Sequence, residues 1–491
     1  MQLHFEPAPL SALNAEALLL GLAPAARAPT GFGPELDAAI AVAWRDGAFA
    51  GKDEEVLAMY PVGGLVARRV VLLGLGSEPL TPEAWRRVVA RGVLALRGKV
   101  ARLAIALPDG LAPAVAAYAS TEAAALSAYD GRLFQTQPRP DEKALESLVL
   151  PLAADSEAAH AAARGRSLAA IVNRVRDLSN MPGNKLSVPD LRDAAVDLAR
   201  RTGMTHRVFE QAELVQMGFG CLVGVGQGSQ HGPCFVVLEY HGHPDRRAAP
   251  IVLAGKGITF DTGGICIKPR AGMEEMKTDM HGAATVLGVL EAAHDRSLPV
   301  NLVALLPIAE NMPSGRALKP GDLLTAYNGL VVEAVDTDAE GRLILADALA
   351  YGAKHYDARV TVDVATLTGS IIMALGYEAS GLFSTDDDLA ARLAAAGEAT
   401  GERLWRFPVW EAYDHHIQSD IADLRNIHPG KGDAITGAVF LKRFAGQGAW
   451  AHIDIAGPSY LSEARGYNPK GSTGHGVRLL LHWLEQEVSR G

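Results

Sequence analysis

Along the first 150 residues the hydrophobic positions come in short runs. Arg69-Val-Val-Leu-Leu73 and Val100-Ala-Arg-Leu-Ala-Ile-Ala-Leu107 read as strands, with helical stretches between them. This pattern predicts a small α/β domain. A polar, proline-rich stretch, Gln135-Thr-Gln-Pro-Arg-Pro-Asp141, follows it, and the Ala-rich run from Glu157 to Leu178 reads as one long helix. That helix, at about 157–178, is expected to link an N-terminal domain at 1–160 to a second domain at 161–491. From about residue 165 onward, apolar strand-like runs alternate with helical ones, the signature of βαβ units. Pro250-Ile-Val-Leu-Ala254, Val300-Asn-Leu-Val-Ala-Leu-Leu306, Leu330-Val-Val-Glu-Ala-Val335 and Arg359-Val-Thr-Val-Asp-Val364 are the expected central strands. The fold class is therefore α/β: a smaller N-terminal α/β domain and a larger C-terminal one with a mostly parallel sheet flanked by helices.

Composition agrees with this division and narrows the function. A chain of 491 residues exceeds one ordinary core, and 48% hydrophobic with 21% charged residues is an ordinary globular balance. A formal charge of −10 and a pI near 5.9 argue against the broad basic surface that duplex DNA or an anionic membrane requires. Three cysteines, Cys221, Cys234 and Cys266, fit a reducing compartment and read as buried small hydrophobes. The opening Met1-Gln-Leu-His-Phe-Glu-Pro7 does not resemble a secretory signal, and no uncharged apolar run is long enough to span a bilayer. The expected location is the cytoplasm.

The candidate chemistry lies where acidic residues fall relative to the strands. Lys256 and Asp261 follow the first central strand, Asp338, Glu340 and Arg342 follow the third, and Asp279 stands just before an apolar helix pattern starting near Met280. In open α/β sheets ligands bind beyond the carboxyl ends of strands, so these residues are expected to share one crevice. Asp261, Asp279, Asp338 and Glu340 would repel one another unless cations neutralised them. Oxygen ligands without histidine suit Mg, Mn or Zn, which predicts a two-metal centre whose shared water is the nucleophile. Asp336, Asp338, Glu340 and Arg342 alternate at a spacing of two, so an extended segment would present them on one side, with Gly341 allowing the turn into a helix.

Four stretches carry a family resemblance: Gly255-Lys-Gly-Ile-Thr-Phe-Asp-Thr-Gly-Gly-Ile-Cys-Ile-Lys-Pro269, Met276-Lys-Thr-Asp-Met280, Glu310-Asn-Met-Pro-Ser-Gly-Arg-Ala-Leu-Lys-Pro-Gly-Asp322 and Thr337-Asp-Ala-Glu-Gly-Arg342. They closely resemble the leucyl aminopeptidase (M17) family, whose signature Asn-Thr-Asp-Ala-Glu-Gly-Arg-Leu is matched from Thr337 to Leu343. The resemblance implies that Lys256, Asp261, Asp279, Asp338 and Glu340 bind two divalent ions, Zn or Mn, with Mg or Co as alternatives. It implies that Lys268 and Arg342 are catalytic, the arginine holding a bicarbonate that acts as general base. A lysine ligand must be neutral, so metal and burial would depress the pKa of Lys256. Thr366-Leu-Thr-Gly369 resembles the family's substrate-binding segment, which points to Thr366, Leu367 and Gly369, and Met276 is a candidate for the pocket of the first side chain. The family's pattern further implies a macro-domain-like N-terminal domain serving assembly, a homohexamer with enclosed active sites, short peptide substrates, and preference for N-terminal leucine or other hydrophobic residues. Two positions depart from it: Asp336 stands where Asn is usual, and His281 where many relatives carry Cys or another small residue. An added carboxylate at 336 is expected to tighten metal binding or alter substrate preference.

Taken singly, Asp261 reads as a cap or solvated side chain and Lys256 or Lys268 as a surface lysine; seven matching positions in register reverse those readings. Gly74-Leu-Gly76 and Gly224-Val-Gly-Gln-Gly228 lack a full dinucleotide fingerprint and read as tight turns. Neither a Gly-x-Ser-x-Gly elbow nor a His-Glu-x-x-His motif occurs, which sets aside the serine hydrolase and the zincin. The alternative from another class is a DNA-binding or regulatory role, as some bacterial relatives have, and the acidic balance opposes it.

Overall fold

The computed structural model describes all residues except Ala26, Arg27, Pro61, Val62, Pro138, Pro429, Lys431 and Gly491, so Pro138 of the proline-rich stretch lies outside the described residues. The chain divides into two compact units, Met1–Asn173 with Glu463–Lys470, and Arg174–Ser462 with Gly471–Gly491. The helix Glu157–Asn180 contains the first boundary.

In the first unit, six strands form one sheet: β1 (Gln2–Phe5), β2 (Ala17–Leu22), β3 (Val56–Met59), β4 (Arg69–Gly74), β5 (Arg102–Ile105) and β6 (Ser147–Leu150), in the order β1-β6-β5-β2-β4-β3. All neighbours are parallel except β3 and β4. The apolar runs are continuous because both faces are covered. Leu19, Val71, Leu73 and Ile105 face a core that includes Trp85 and Val88 of the helix Pro82–Ala95. Their sequence neighbours Leu18, Leu20, Val70 and Leu72 face the other core, with Leu36 and Ile40 of the helix Pro34–Arg45. The period-two alternation of strand side chains divides one run between two cores.

The second unit holds β7 (Thr205–Glu210), β8 (Cys234–His241), β9 (Ile251–Gly255), β10 (Gly257–Asp261), β11 (Asn301–Asn311), β12 (Asp322–Thr325), β13 (Val331–Ala334), β14 (Val360–Ala365), β15 (Ser380–Ser384), β16 (Leu404–Phe407), β17 (Leu424–Arg425) and β18 (Ala449–Asp454). Its main sheet runs β16-β15-β18-β14-β9-β11-β8-β7, with β10 alongside the end of β11. The centre, β18-β14-β9-β11, is parallel, and antiparallel pairs appear toward the margins. Val252 and Ala254 of β9 and Val303 and Leu305 of β11 pack into a core with the helices Gly220–Gly226, Glu340–His355 and Asp433–Lys442.

One expected central strand belongs elsewhere. The run Leu330–Val335 forms β13, which lies in a separate three-stranded sheet, β12-β13-β17. A short apolar run announces a buried strand but says nothing about which sheet it joins. Conversely β10, with Gly at its start and a register shift between Ile258 and Asp261, lacks a clean strand pattern and was not expected. Among the described residues, no helix is long and apolar enough to cross a membrane.

Candidate active site

The parallel strands β9, β11, β14 and β18 end on one edge, and the candidate residues follow from there. Lys256 is the first residue after β9, Asp261 ends β10, and Thr366 follows β14. Asp279 sits between the short helix Met273–Thr278 and the helix His281–Asp295. Asp336 to Asp338 form a turn, and Glu340 and Arg342 lie in the first turn of the helix Glu340–His355. The two-residue spacing is therefore not that of an extended segment; a turn and a helix start bring the side chains together. Gly341 likewise does not serve a turn. It lies inside the helix, where a Cβ would stand 2.5 Å from Lys256 Cε and 2.7 Å from Lys256 Nζ, so only glycine admits the lysine.

Lys256 is buried, 3% exposed, and its Nζ reaches three acceptors: Asp279 Oδ1 at 2.8 Å, Glu340 Oε1 at 2.8 Å and the Thr366 carbonyl at 2.9 Å. Lys268 Nζ bridges Asp261 Oδ2 at 2.8 Å and Asp338 Oδ1 at 2.5 Å. Carboxylate oxygens of Asp261, Asp338 and Glu340 lie within 4.8 Å of one another, a group able to hold a metal ion. Asp279 joins them through Lys256. Gly263 and Gly264, with φ of +83° and +66°, fold the loop after β10 so tightly that a Cβ on Gly263 would lie 2.7 Å from Asp338 Oδ1.

The electrostatics follow from burial of like charges. Desolvation pulls both lysines down, but the surrounding carboxylates override it and hold each above the usual lysine range. The depressed value expected of Lys256 belongs to its metal-bound form; paired with acids alone, its ammonium is favoured. Burial together with the charge of Asp261 pushes the Asp338 carboxyl up to about 7, and burial with neighbouring acids raises Asp279 and Glu340 as well. Four carboxylates against two ammonium groups leave a formal excess of two negative charges in a desolvated space. Asp279 Oδ2 and Glu340 Oε2 are buried without a hydrogen-bond partner. Unpartnered carboxyl oxygens in a donor set dominated by carboxylates fit divalent cations.

The substrate candidates flank this centre. Met276 lies half-buried on the helix Met273–Thr278, Thr366 and Leu367 are half-buried, and Gly369 is exposed. Thr366 Oγ1 donates to Asp279 Oδ1 at 2.7 Å. The segment is fixed from below by Asp454, whose carboxylate accepts from Leu367 N–H at 3.0 Å and Thr368 Oγ1 at 2.7 Å. Arg342 is buried; Nη1 donates to the Asn426 carbonyl at 2.9 Å and Nη2 to Asp433 Oδ1 at 2.8 Å. Asp336 Oδ1 accepts the Asp338 N–H at 2.9 Å, a local turn that an asparagine oxygen would make equally well. His281 is fully buried, Nδ1 facing Ser472 Oγ at 3.1 Å, and desolvation drives its pKa down to about 3. Cys266 is half-buried, unlike Cys221 and Cys234.

Four side chains that sequence reading passed over support the site. Asn311 Nδ2 donates to Asp261 Oδ1 at 2.8 Å and to the Thr337 carbonyl at 3.0 Å, tying β10 to the 336–338 turn. Asn426 Oδ1 accepts Val335 N–H at 2.8 Å while its Nδ2 donates to the Asp336 carbonyl at 2.6 Å. With Asp433 and Asp454 they act over 26 to 91 residues of sequence, and no local pattern marks them.

Fold and site together define a two-domain α/β protein with an acidic centre at the carboxyl edge of its sheet. Residues 173–481 match the catalytic domain of the cytosol aminopeptidase family, and residues 23–138 its N-terminal domain. A probable cytosol aminopeptidase of Roseiflexus castenholzii is 45% identical over 446 residues, covering 89% of this chain and 91% of its own. One from Syntrophotalea carbinolica is 45% identical over 450 residues, 90% of each. Among solved structures, a mutant tomato leucine aminopeptidase superimposes with a TM-score of 0.89 at 31% identity, covering 99% of this chain and 96% of its own. The bottromycin maturation enzyme BotP in complex with Mn gives 0.86 at 34% identity, covering 96% and 100%. The chain belongs to the cytosol aminopeptidase family, peptidase M17, and is an aminopeptidase.

Proposed function

We propose that this protein removes the N-terminal residue, preferentially leucine or another hydrophobic residue, from short peptides and amino-acid amides. The observation that carries the reading is the centre in which Lys256 and Lys268 are clasped by Asp261, Asp279, Asp338 and Glu340 with carboxylate oxygens to spare. These residues, with Lys256 as a neutral ligand, would hold two divalent cations, Zn or Mn, with Mg or Co as alternatives. The Mn bound to BotP supports that choice. Such ions supply Lewis-acid polarisation of a carbonyl and acidify a shared water, so that a nucleophile exists at neutral pH.

The chain's own groups do the rest. Lys268, 20% exposed while its carboxylate partner Asp261 is buried, presents an ammonium to the crevice and stabilises the charge that develops on the scissile carbonyl oxygen. Thr366, held by Lys256 and Asp279, fixes the segment against which the substrate backbone lies. Leu367 and Met276 offer apolar surface to the first side chain, and at Gly369 a Cβ would meet no atom within 4 Å, which leaves the path open. We also propose a cytoplasmic location and a homohexamer, on the relatives' names and the resemblance respectively.

The test is chelation of the purified full chain, then Mn or Zn add-back with a panel of aminoacyl amides. Activity on leucine amide is expected to vanish and return, and Lys268→Ala or Asp338→Ala to lower turnover at least ~100-fold, as losses of charge stabilisation do. Wild-type turnover in either variant, or full activity without metal, would overturn the reading. Sedimentation of a stable, active monomer would remove the hexamer.

A further inference from the structure

Arg342 leaves little room for an outside anion. Its side chain is 2% exposed, both terminal amino groups are engaged, and Nε is sealed without a partner. The helix Asp433–Lys442 stands over the guanidinium, so that a Cβ on Gly437 would lie 3.5 Å from both Cζ and Nη2. The place a bicarbonate would take is held by Asp433, whose Oδ1 pairs with Nη2 and whose Oδ2 accepts from Ser370 Oγ at 3.3 Å. Ser370 directly follows the Thr366–Gly369 segment, so its hydrogen bond ties this carboxylate to the chain expected to hold the substrate. Asp433 is the first residue of its helix, where backbone N–H groups favour negative charge, and it is 25% exposed while its arginine is sealed. A bicarbonate at Arg342 would have to evict Asp433 and set two anions against one buried cation. The residues do not fit it.

We propose that Asp433 is the resident anion of Arg342 and carries the proton in peptide hydrolysis, so that this enzyme works without bicarbonate. The proposal rests on the aminopeptidase reading above. As the carbonyl carbon forms its bond to the attacking water oxygen, a water O–H breaks and the proton goes to the Asp433 carboxylate. When the amide C–N bond breaks, that carboxyl O–H returns its proton to the leaving nitrogen, and the carboxylate is restored. Nothing is oxidised or reduced. Arg342 and Ser370 fix the carboxylate at both oxygens for the two transfers.

The test compares wild type, Asp433→Gly and Asp433→Asn in carbonate-free buffer with and without added bicarbonate, reading leucine amide hydrolysis and, by equilibrium dialysis of metal-free protein, binding of radiolabelled bicarbonate. Wild type is expected to ignore bicarbonate and bind none. Both variants are expected to lose about 10²- to 10⁴-fold in kcat, the usual reach of general acid–base catalysis. Asp433→Gly, with its arginine freed, should bind bicarbonate and regain turnover; Asp433→Asn, whose amide still occupies the guanidinium, should do neither. Stimulation of wild type by bicarbonate, stoichiometric binding to it, or undiminished turnover in Asp433→Asn would overturn the proposal. If wild type hydrolyses no aminoacyl amide with any metal, the aminopeptidase reading fails, and the dialysis still decides whether Asp433 excludes the anion. A glycine variant that does not fold leaves the asparagine variant and the wild-type dialysis to decide.

Discussion

Lys256 cannot swing aside, because three acceptors hold its Nζ and Gly341 packs against its stem. A methyl at 341 therefore forces the ammonium off its acceptors. Gly341→Ala is expected to keep the fold and reduce kcat/KM on leucine amide roughly ten- to hundredfold, the equivalent of overpacking by about 1–3 kcal/mol; unchanged kinetics would show that the lysine yields freely. A second residue-scale effect concerns His475, buried with Nε2 against Ser380 Oγ at 2.8 Å, and driven by desolvation to a pKa of about 3. An unfolded histidine titrates near ~6.5, so the unfolded chain binds the proton first. This contribution to stability is complete above about pH 6.5 and shrinks as pH falls toward about 3. Replacing His475 by Gln should flatten the pH dependence of the unfolding free energy over that window, measured by denaturant titration; an unaltered slope would contradict the assignment. The residues that converge on the candidate site were legible at this scale because they sit in compact motifs. Asn426, Asp433 and Asp454 were not, since each reaches the centre from a stretch distant in sequence, outside any of those motifs.

The elements that carry the site owe their placement to buried polar ties. Within the helix Glu340–His355, Asp347 Oδ2 accepts Leu222 N–H at the start of the helix Gly220–Gly226, and Oδ1 accepts Tyr327 N–H just beyond β12, each at 2.8 Å. Burial pushes this carboxyl up to about 7, with the donors pulling it back. Asp347→Ala strands the buried Leu222 N–H and the half-buried Tyr327 N–H and is expected to lower stability by about 2–5 kcal/mol, read from denaturant unfolding; less than about 1 kcal/mol would mean the helices pack without it. Sequence pattern found β9, β11 and β14 because a strand buried on both faces is a continuous apolar run. It could not assign β13 to the smaller sheet, nor see that Glu340 begins a helix, because alternate polar positions over a short stretch suit a strand end and a turn entering a helix equally.

For the whole molecule, two units argue against a single unfolding transition, and bound ions should move only the one that contains the carboxylates. A ligand at about 100 times its Kd adds about 2.7 kcal/mol, so saturating Mn should raise one calorimetric transition by a few degrees and leave the other in place. Because Asp338 holds a proton up to about pH 7, the rise should weaken in more acidic buffer. A uniform shift of both transitions, or a shift that ignores pH, would speak against binding at these side chains. The two-part α/β plan was readable from the alternation of patterns, whereas assembly leaves no mark in a single chain's periodicity. The pairing of Lys256 and Lys268 with the acids has a wider consequence. Each ammonium already offsets charge between strands that the acids would otherwise push apart, so the fold is expected to outlast chelation; a circular dichroism spectrum that disappears with the chelator would show that ions alone hold these strands together.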